Sequence, residues 1–328
     1  MSDDIPLIDL APLRDGLDGA RQIASALNHA LENVGFLIIV NHDVPADLIA
    51  QTFEEARRFH DQPLDVKHAL RMNEHNNGYM ADGRYSVRTS RVSEKSVQPD
   101  ANEAFFLKRE RPADNPLVLA ERRFAGPNIW PTGLPAFREK VIEYCDVVDA
   151  MARRLLPALA LSLDLEPDYF EQFFAESQYS FRLSHYPPVA RKEGLYGIAP
   201  HTDMNFMTFL PQSDVPGLQI ATEPGKWRDV PYVANSFVVN TGDTLHRWSN
   251  GRYLSTPHRA LPPVGEHRYA IPFFLGPHLD TEIACLPSCT DDENPPKYAP
   301  TTYSDFMIWW YDANYNAADQ DDLAVVNS

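Results

Sequence analysis

Apolar residues recur at helical spacing through much of the first half of the chain. In residues 20–34 they return every third or fourth position, and Gly35 ends the run, which predicts a helix. Residues 48–60 repeat the pattern and predict a second helix. Between the two, Phe36–Val40 is a short and continuous apolar run, so we expect a buried strand there.

The pattern changes after residue 164. Residues 138–164 carry a long amphipathic stripe, and Pro157 is expected to kink or divide this helix. Short apolar runs separated by turn residues then predict strands at 179–186, 206–210, 217–221, 236–240 and 269–275. Helices first and strands later predict an α+β protein with a mainly β core, in which N-terminal and central helices flank an antiparallel barrel or jelly roll.

Residues 72–102 fit neither pattern. They are polar with few apolar anchors, and they predict a long loop or flap of the kind that often forms a substrate lid. Arg84, Arg88 and Arg91 lie in this segment and are unusual in so acidic a chain. A solvated loop surface explains each of them more simply than a contact with substrate.

Composition narrows the class of partner. The 328 residues include 46 acidic and 29 basic ones, and a formal net charge of −17 would repel nucleic acids and anionic membranes. Cys145, Cys285 and Cys289 are too few and too scattered for a disulfide framework. No stretch approaches the length of a membrane span, and no apolar export segment follows the acidic start. We therefore expect a cytoplasmic enzyme without a nucleic-acid or membrane partner.

The candidate chemistry begins at His201-Thr202-Asp203. Side chains two residues apart in a strand point from the same face, so the imidazole and the carboxylate can share one metal ion. A third ligand must come from a distant segment, and His258 and His246 could each supply it. Two histidines and one carboxylate on one side of an ion leave the opposite positions open, which is the facial triad of non-haem Fe(II) enzymes.

Arg268 follows His258 closely along the chain. Its planar and permanently charged guanidinium suits a carboxylate bound near the metal. His267 precedes it and should face away from the pocket, because side chains alternate along a strand. A metal ion with open coordination positions, beside an arginine that can bind a carboxylate, is typical of an oxygenase.

Longer strings of residues support this interpretation. They are Ile5-Pro-Leu-Ile-Asp-Leu10, Gly35-Phe-Leu-Ile-Ile-Val-Asn-His-Asp-Val44 and Phe237-Val-Val-Asn-Thr-Gly-Asp-Thr-Leu-His-Arg-Trp-Ser-Asn-Gly-Arg-Tyr253. In this order, and with the triad and Arg268 at matching spacing, the chain resembles the isopenicillin N synthase-like family of Fe(II)/2-oxoglutarate-dependent oxygenases over nearly its whole length. The resemblance implies a double-stranded β-helix core with the metal at its open end.

The resemblance also implies roles for single residues. His201, Asp203 and His258 match the iron ligands of the family, whereas His246 matches a position that is not a ligand. Fe(II), 2-oxoglutarate and O2 are the implied cofactor and cosubstrates. Imidazole and carboxylate suit Fe(II) better than thiolate does, and no cysteine lies near the motif.

Four further residues bear on the cosubstrate. Arg268 matches the residue that binds the distal carboxylate of 2-oxoglutarate, and Tyr186 matches a tyrosine that commonly helps to hold it. Ser184 stands where many relatives carry an amide side chain. The family pattern Arg-x-Ser is here Arg268-Tyr269-Ala270, so a hydroxyl on the same face as Arg268 is replaced by a methyl group.

The resemblance implies a dioxygenase that oxidises a small molecule by hydroxylation, desaturation or ring closure and releases succinate and CO2. Trp248, Tyr79 and Arg182 are candidates for its substrate pocket. Ala270 keeps two alternatives open, an oxidase like isopenicillin N synthase that does not use 2-oxoglutarate, and a non-catalytic sensor of iron or an oxoacid. We divide the chain into a family-associated N-terminal region at 1–120, the oxygenase core at 121–315 and an acidic tail at 316–328.

Overall fold

A computed structural model describes residues 5–83, 92, 99–190 and 192–316 of the chain. Arg84, Arg88 and Arg91, and nearly all of the acidic tail, lie outside the described residues. The helices are α1 (Leu17–Asn33), α2 (Ala46–His60), α3 (Leu64–His68), α4 (Pro116–Leu119), α5 (Phe137–Arg154), α6 (Leu156–Ser162), α7 (Glu171–Phe174), α8 (Asp243–Trp248) and α9 (Tyr303–Tyr311).

The strands alternate with these helices at first and then dominate the chain. They are β1 (Leu7–Asp9), β2 (Phe36–Val40), β3 (Gly78–Met80), β4 (Glu103–Lys108), β5 (Ser180–Tyr186), β6 (Ile198–His201), β7 (Met207–Pro211), β8 (Leu218–Glu223), β9 (Lys226–Asp229), β10 (Phe237–Thr241), β11 (His258–Ala260), β12 (Arg268–Ala270), β13 (Phe273–Leu275), β14 (Glu282–Ile283) and β15 (Thr301–Thr302).

The predictions from apolar spacing are confirmed for the long elements. Helices α1 and α2 and strand β2 lie where periodicity placed them. The stripe at 138–164 is divided as expected, because Pro157 lies in the first turn of α6, directly after α5 has ended. The last predicted strand, 269–275, is interrupted and forms the two short strands β12 and β13.

Two sheets form the jelly-roll core. In the described part of the chain the major sheet has the order β1-β2-β10-β7-β13-β5-β4-β3, with β12 also paired to β5, and the minor sheet has the order β6-β11-β8-β9. Helices α1, α2, α5 and α6 pack against the major sheet through one large apolar cluster. The fold is therefore the α+β arrangement with a mainly β core that the sequence predicted.

The N-terminal region takes part in the core itself. Strand β2 pairs with β10, and β4 pairs with β5 over six residues from Glu103 to Lys108. Strands from the first 120 residues therefore extend the same sheet that carries the later ones, and the boundary at residue 120 stays a prediction. None of the helices in the described ranges combines the length and the apolar character needed to cross a membrane.

A buried charged network lies under the major sheet, on the face turned away from the minor sheet. Glu103 accepts hydrogen bonds from Lys67 Nζ at 2.8 Å and from the hydroxyl of Tyr79. His185 Nδ1 lies 2.7 Å, and His60 Nδ1 3.3 Å, from the same carboxylate. Histidine–carboxylate groups of this kind can hold metal ions. Here a buried ammonium ion already neutralises the carboxylate, so the arrangement is that of a structural ion pair.

Candidate active site

The three candidate metal ligands converge at the end of the minor sheet. His201 is the last residue of β6 and lies directly opposite His258, the first residue of β11. Asp203 follows just after the end of β6, so the triad does not need a continuous strand through position 203. The Nε2 atoms of His201 and His258 each lie 3.6 Å from Oδ1 of Asp203, close enough for one ion to contact all three atoms.

Backbone carbonyl groups fix the orientation of both imidazoles. His201 Nδ1 lies 2.9 Å from the Ala199 carbonyl oxygen, and His258 Nδ1 lies 3.2 Å from the carbonyl oxygen of Thr256. A carbonyl can only accept, so each Nδ1 carries a proton and donates it. When each imidazole is neutral, its Nε2 atom therefore carries the lone pair that a metal ion needs.

Two polar side chains of the major sheet hold the carboxylate of Asp203. Its Oδ2 accepts a hydrogen bond from the Thr208 hydroxyl at 2.6 Å and another from Asn240 Nδ2 at 2.8 Å. Its Oδ1 is thereby turned toward the histidines. These two partners were not among the sequence candidates, although each is a polar residue inside an otherwise apolar strand, which is a usable signal.

The electrostatics of the triad favour the metal-binding protonation state at His201 and Asp203. Burial lowers the pKa of His201 to about 3, and the neighbouring His258 acts in the same direction. Burial alone would raise the pKa of Asp203, but His258 and His201 outweigh it and hold that pKa well below its usual range. At neutral pH His201 is therefore neutral and Asp203 ionised, as metal ligation requires. Burial tends to lower the pKa of His258, but the carboxylate of Asp203 outweighs burial and raises that pKa, so a metal ion would compete with a proton at His258.

A cavity of about 600 Å³, including its open mouth, lies between the two sheets beside the triad. It is lined from the major sheet by Phe36, Arg182, Ser184, Tyr186, Thr208, Leu210, Val238, Asn240, Arg268, Ala270, Pro272 and Phe274, and from the minor sheet and its edge by Ile198, His201, Asp203, Leu218, His258, Arg259 and Ala260. We call it the inter-sheet cavity. Apolar walls that enclose a few polar groups are typical of small-molecule sites.

Polar atoms in the inter-sheet cavity suit a dicarboxylate. The guanidinium of Arg268 lies 4.8 Å over the ring of Tyr186, and its Nε donates to the Val215 carbonyl oxygen at 3.3 Å. Nη1 of Arg268 and Oγ of Ser184 are both buried and have no hydrogen-bond partner in the protein. Buried donors without partners are costly, and a bound carboxylate would satisfy them. The residues present therefore fit 2-oxoglutarate.

A second cavity, of about 560 Å³ including its mouth, reaches the triad from the other side. Besides His201 and Asp203 it is lined by Phe106, Ser180, Arg182, Met204, Asn205, Phe274, Tyr303, Trp310 and Tyr311. We call it the aromatic cavity. Helix α9 supplies three of these residues, and the apolar spacing along the chain did not predict that helix. Because both cavities meet at the triad, a metal there would face each of them.

The contacts of His246 and His267 show that neither histidine belongs to the triad. His246 lies away from the triad, where its Nδ1 is 2.6 Å from the Tyr253 carbonyl oxygen and its Nε2 is 2.9 Å from the Tyr298 hydroxyl. His267 contacts His185 beneath the major sheet, so it faces away from the inter-sheet cavity as strand alternation predicted.

The three candidates for the substrate pocket have different places in the fold. Arg182 lines both cavities. The prediction is wrong for Trp248 and Tyr79, since Trp248 packs in the apolar core and Tyr79 belongs to the Glu103 network.

Comparison with known proteins agrees with the geometry. The family model described as the 2OG-Fe(II) oxygenase superfamily matches residues 177–277, and the model described as the non-haem dioxygenase in morphine synthesis N-terminal region matches residues 5–133. The 2-oxoglutarate-Fe(II) type oxidoreductase hxnY of Emericella nidulans is 35% identical over 96% of this chain and 91% of its own. The chain belongs to the 2OG-Fe(II) oxygenase superfamily, as the resemblance to its isopenicillin N synthase-like branch implied.

One further relative and one solved structure extend the comparison. Kihadalactone A synthase LFS of Citrus sinensis is 31% identical over 93% of this chain and 92% of its own. The crystal structure of a full-length Neurospora crassa protein in complex with alpha-KG and thymine superposes with a TM-score of 0.81 and 27% identity, covering 94% of this chain and 97% of that chain. The protein is thus an Fe(II)- and 2-oxoglutarate-dependent oxidoreductase that acts on a small molecule. The comparisons favour this function over an oxidase without 2-oxoglutarate and over a non-catalytic sensor.

Proposed function

We propose that His201, Asp203 and His258 hold the Fe(II) of this dioxygenase. The convergence of two Nε2 atoms and one carboxylate oxygen at the junction of two cavities carries the proposal. The donor set is two imidazoles and a carboxylate without thiolate, which suits Fe(II), and it leaves positions open for 2-oxoglutarate and O2. A cytoplasmic location also remains our proposal, and the free thiols of the three cysteines support it.

The inter-sheet cavity is the proposed site of 2-oxoglutarate. Arg268 would bind its distal carboxylate, and Tyr186 and Ser184 would help to position it against a wall that includes Ala270. The unsatisfied donors of Arg268 and Ser184 support this assignment. With iron bound, O2 would be the oxidant: one of its oxygen atoms would end in succinate as 2-oxoglutarate loses CO2, and the other would serve to oxidise the prime substrate. The chain itself orients the reactants and keeps bulk water out.

An anaerobic titration tests the assignment of iron and cosubstrate. We expect the Fe(II)-loaded protein to develop a saturable visible charge-transfer band when 2-oxoglutarate is added without O2. Arg268→Gln should keep the iron but shift the titration to concentrations about 10- to 100-fold higher, because it removes a charge-assisted pair with the distal carboxylate. Wild-type protein with one equivalent of iron and no band would contradict the proposal.

The aromatic cavity is the proposed site of the prime substrate. Arg182 is buried in its wall, donates to Asn102 Oδ1 and lies 5.1 Å over the ring of Phe106. A guanidinium beside flat aromatic walls suits a small, partly flat molecule that carries a carboxylate. Trp310 lies in the same wall and offers a fluorescence signal for binding.

A screen of matched acids and amides tests this substrate class. We expect small carboxylic acids, but not their primary amides, to increase succinate release by the wild-type enzyme. Arg182→Gln should raise KM for an active acid by about 10- to 100-fold, the range for a lost hydrogen bond to a charged group. Because Arg182 also borders the inter-sheet cavity, the 2-oxoglutarate titration can shift as well, but by less than KM does. Equal stimulation by acids and amides would rule out a carboxylate anchor at Arg182.

A further inference from the structure

The departure from the family pattern at Ala270 has a neighbour that compensates for it. Ala270 is 4% exposed and places a methyl group in the wall of the inter-sheet cavity, where the family pattern has a serine hydroxyl. Arg268, two residues earlier, lines the same cavity. The cosubstrate site therefore lacks one hydroxyl donor on β12.

Strand register shows which side chain is nearest to the missing hydroxyl. Strands β5 and β12 are antiparallel, with Ala270 directly opposite Ser184 and Arg268 directly opposite Tyr186. Directly opposed residues point to the same face of a sheet, with Cβ atoms about 4.5–5.5 Å apart. Ser184 thus presents a hydroxyl to the same cavity wall, one strand away from Ala270.

The Ser184 hydroxyl is buried without a partner in the protein, as expected for a group that binds a ligand. Ser184 is fully buried at 0% exposure, and its Oγ has no hydrogen-bond partner in the protein. On the adjoining strand, Nη1 of Arg268 is also buried without a hydrogen-bond partner in the protein. Both groups border the inter-sheet cavity, and a carboxylate bound there offers enough lone pairs to accept from both.

We infer that Ser184 supplies from β5 the carboxylate-binding hydroxyl that the family pattern places at position 270 on β12. Relative to the family pattern, the hydroxyl has moved from position 270 on β12 to position 184 on β5, which we call the exchange. The cavity wall therefore keeps one hydroxyl for the carboxylate, and cosubstrate binding is retained despite Ala270. The inference rests on the proposed assignment of the inter-sheet cavity to 2-oxoglutarate. It predicts that positions 184 and 270 are energetically coupled.

A set of reciprocal variants tests the exchange. The probe is 2-oxoglutarate, titrated into the Fe(II)-loaded protein without O2, with Kd taken from the visible band and checked by the rise in Tm that saturating 2-oxoglutarate gives. We expect Ser184→Ala to raise Kd about tenfold, as for one hydrogen bond to a charged group. Ala270→Ser alone should change Kd by less than about threefold, since the hydroxyl is already supplied. Ala270→Ser added to Ser184→Ala should restore most of the lost affinity.

Ser162→Ala and Arg268→Gln distinguish a failure of the exchange from a failure of the proposed cosubstrate site. Ser162→Ala removes another buried serine hydroxyl, one that bonds to the Leu159 carbonyl oxygen far from the cavity, and should leave Kd unchanged. If Ser184→Ala binds like the wild type while Arg268→Gln raises Kd about 10- to 100-fold, the exchange is wrong and the proposed cosubstrate site stands. If neither substitution weakens binding, the cosubstrate site itself is wrong. A weakened Ser184→Ala protein that Ala270→Ser does not rescue also overturns the exchange.

Discussion

Asp203→Ala is expected to abolish 2-oxoglutarate turnover and to lose iron while the fold is kept. The variant removes the carboxylate oxygen that lies 3.6 Å from both imidazole Nε2 atoms. Loss of an outer-shell partner typically weakens a metal site about 10- to 100-fold, so loss of a ligand should exceed that range. Thr208 and Asn240 also lose their acceptor, at a cost of about 1–3 kcal/mol, which the fold should tolerate.

The measurement is the iron content after anaerobic loading and desalting, with circular dichroism and Tm as a check on folding. Asn240→Ala is the matched control, because it removes a hydrogen bond to Asp203 Oδ2 and leaves all three candidate ligands in place. It should weaken iron binding by about 10- to 100-fold and keep measurable turnover at high iron. An Asp203→Ala protein with full iron and full turnover would exclude Asp203 as a ligand.

Elements defined by local periodicity could be predicted from the sequence. Helices α1 and α2 repeat their apolar residues within a few positions, so the pattern contains the information that forms them. The division of the long central helix at Pro157 is equally local, because the ring removes a backbone donor. The two histidines and the aspartate could also be proposed from spacing and family resemblance.

Elements that depend on distant partners could not be predicted in this way. Strand β4, Glu103–Lys108, is buried at every position because both faces of the sheet are covered there, and no alternation marks it as a strand. Helix α9 has apolar residues on most of its surface, so periodicity did not separate it from its surroundings. It nevertheless supplies a wall of the aromatic cavity.

The sequence alone does not show which side chains lie opposite one another on neighbouring strands. The importance of Ala270 depends on Ser184 lying opposite it, which is a matter of register between β5 and β12. Nothing in the sequence around His185 indicates its place beside Glu103, which follows from the pairing of β4 with β5. Alternation along β5 then separates the two environments, with Ser184 in the cavity and His185 beneath the sheet.

Glu103→Gln is expected to lower the free energy of unfolding by about 3–5 kcal/mol, the usual cost of breaking a buried ion pair. The substitution leaves the ammonium of Lys67, 7% exposed, without its carboxylate. At about 2 °C per kcal/mol for a chain of this size, Tm should fall by about 6–10 °C. Lys67→Met added to Glu103→Gln is the matched control and should recover much of the loss, because no uncompensated charge then remains. A single variant as stable as the wild type would show that the pair contributes nothing.

The same network makes a prediction about acid. Burial tends to raise the pKa of Glu103, but the surrounding side chains of His185, His60 and Lys67 outweigh burial and hold that pKa far below its ordinary value of 4.5. A carboxyl group whose pKa is depressed by folding stabilises the protein above its unfolded-state pKa, and that contribution is lost as the pH falls further. The Tm difference between wild type and Glu103→Gln should therefore be constant above about pH 5 and shrink progressively below pH 4.5. Thermal melts from about pH 3 to pH 7 measure it, and a difference that grows toward low pH would mean that Glu103 is protonated in the folded protein.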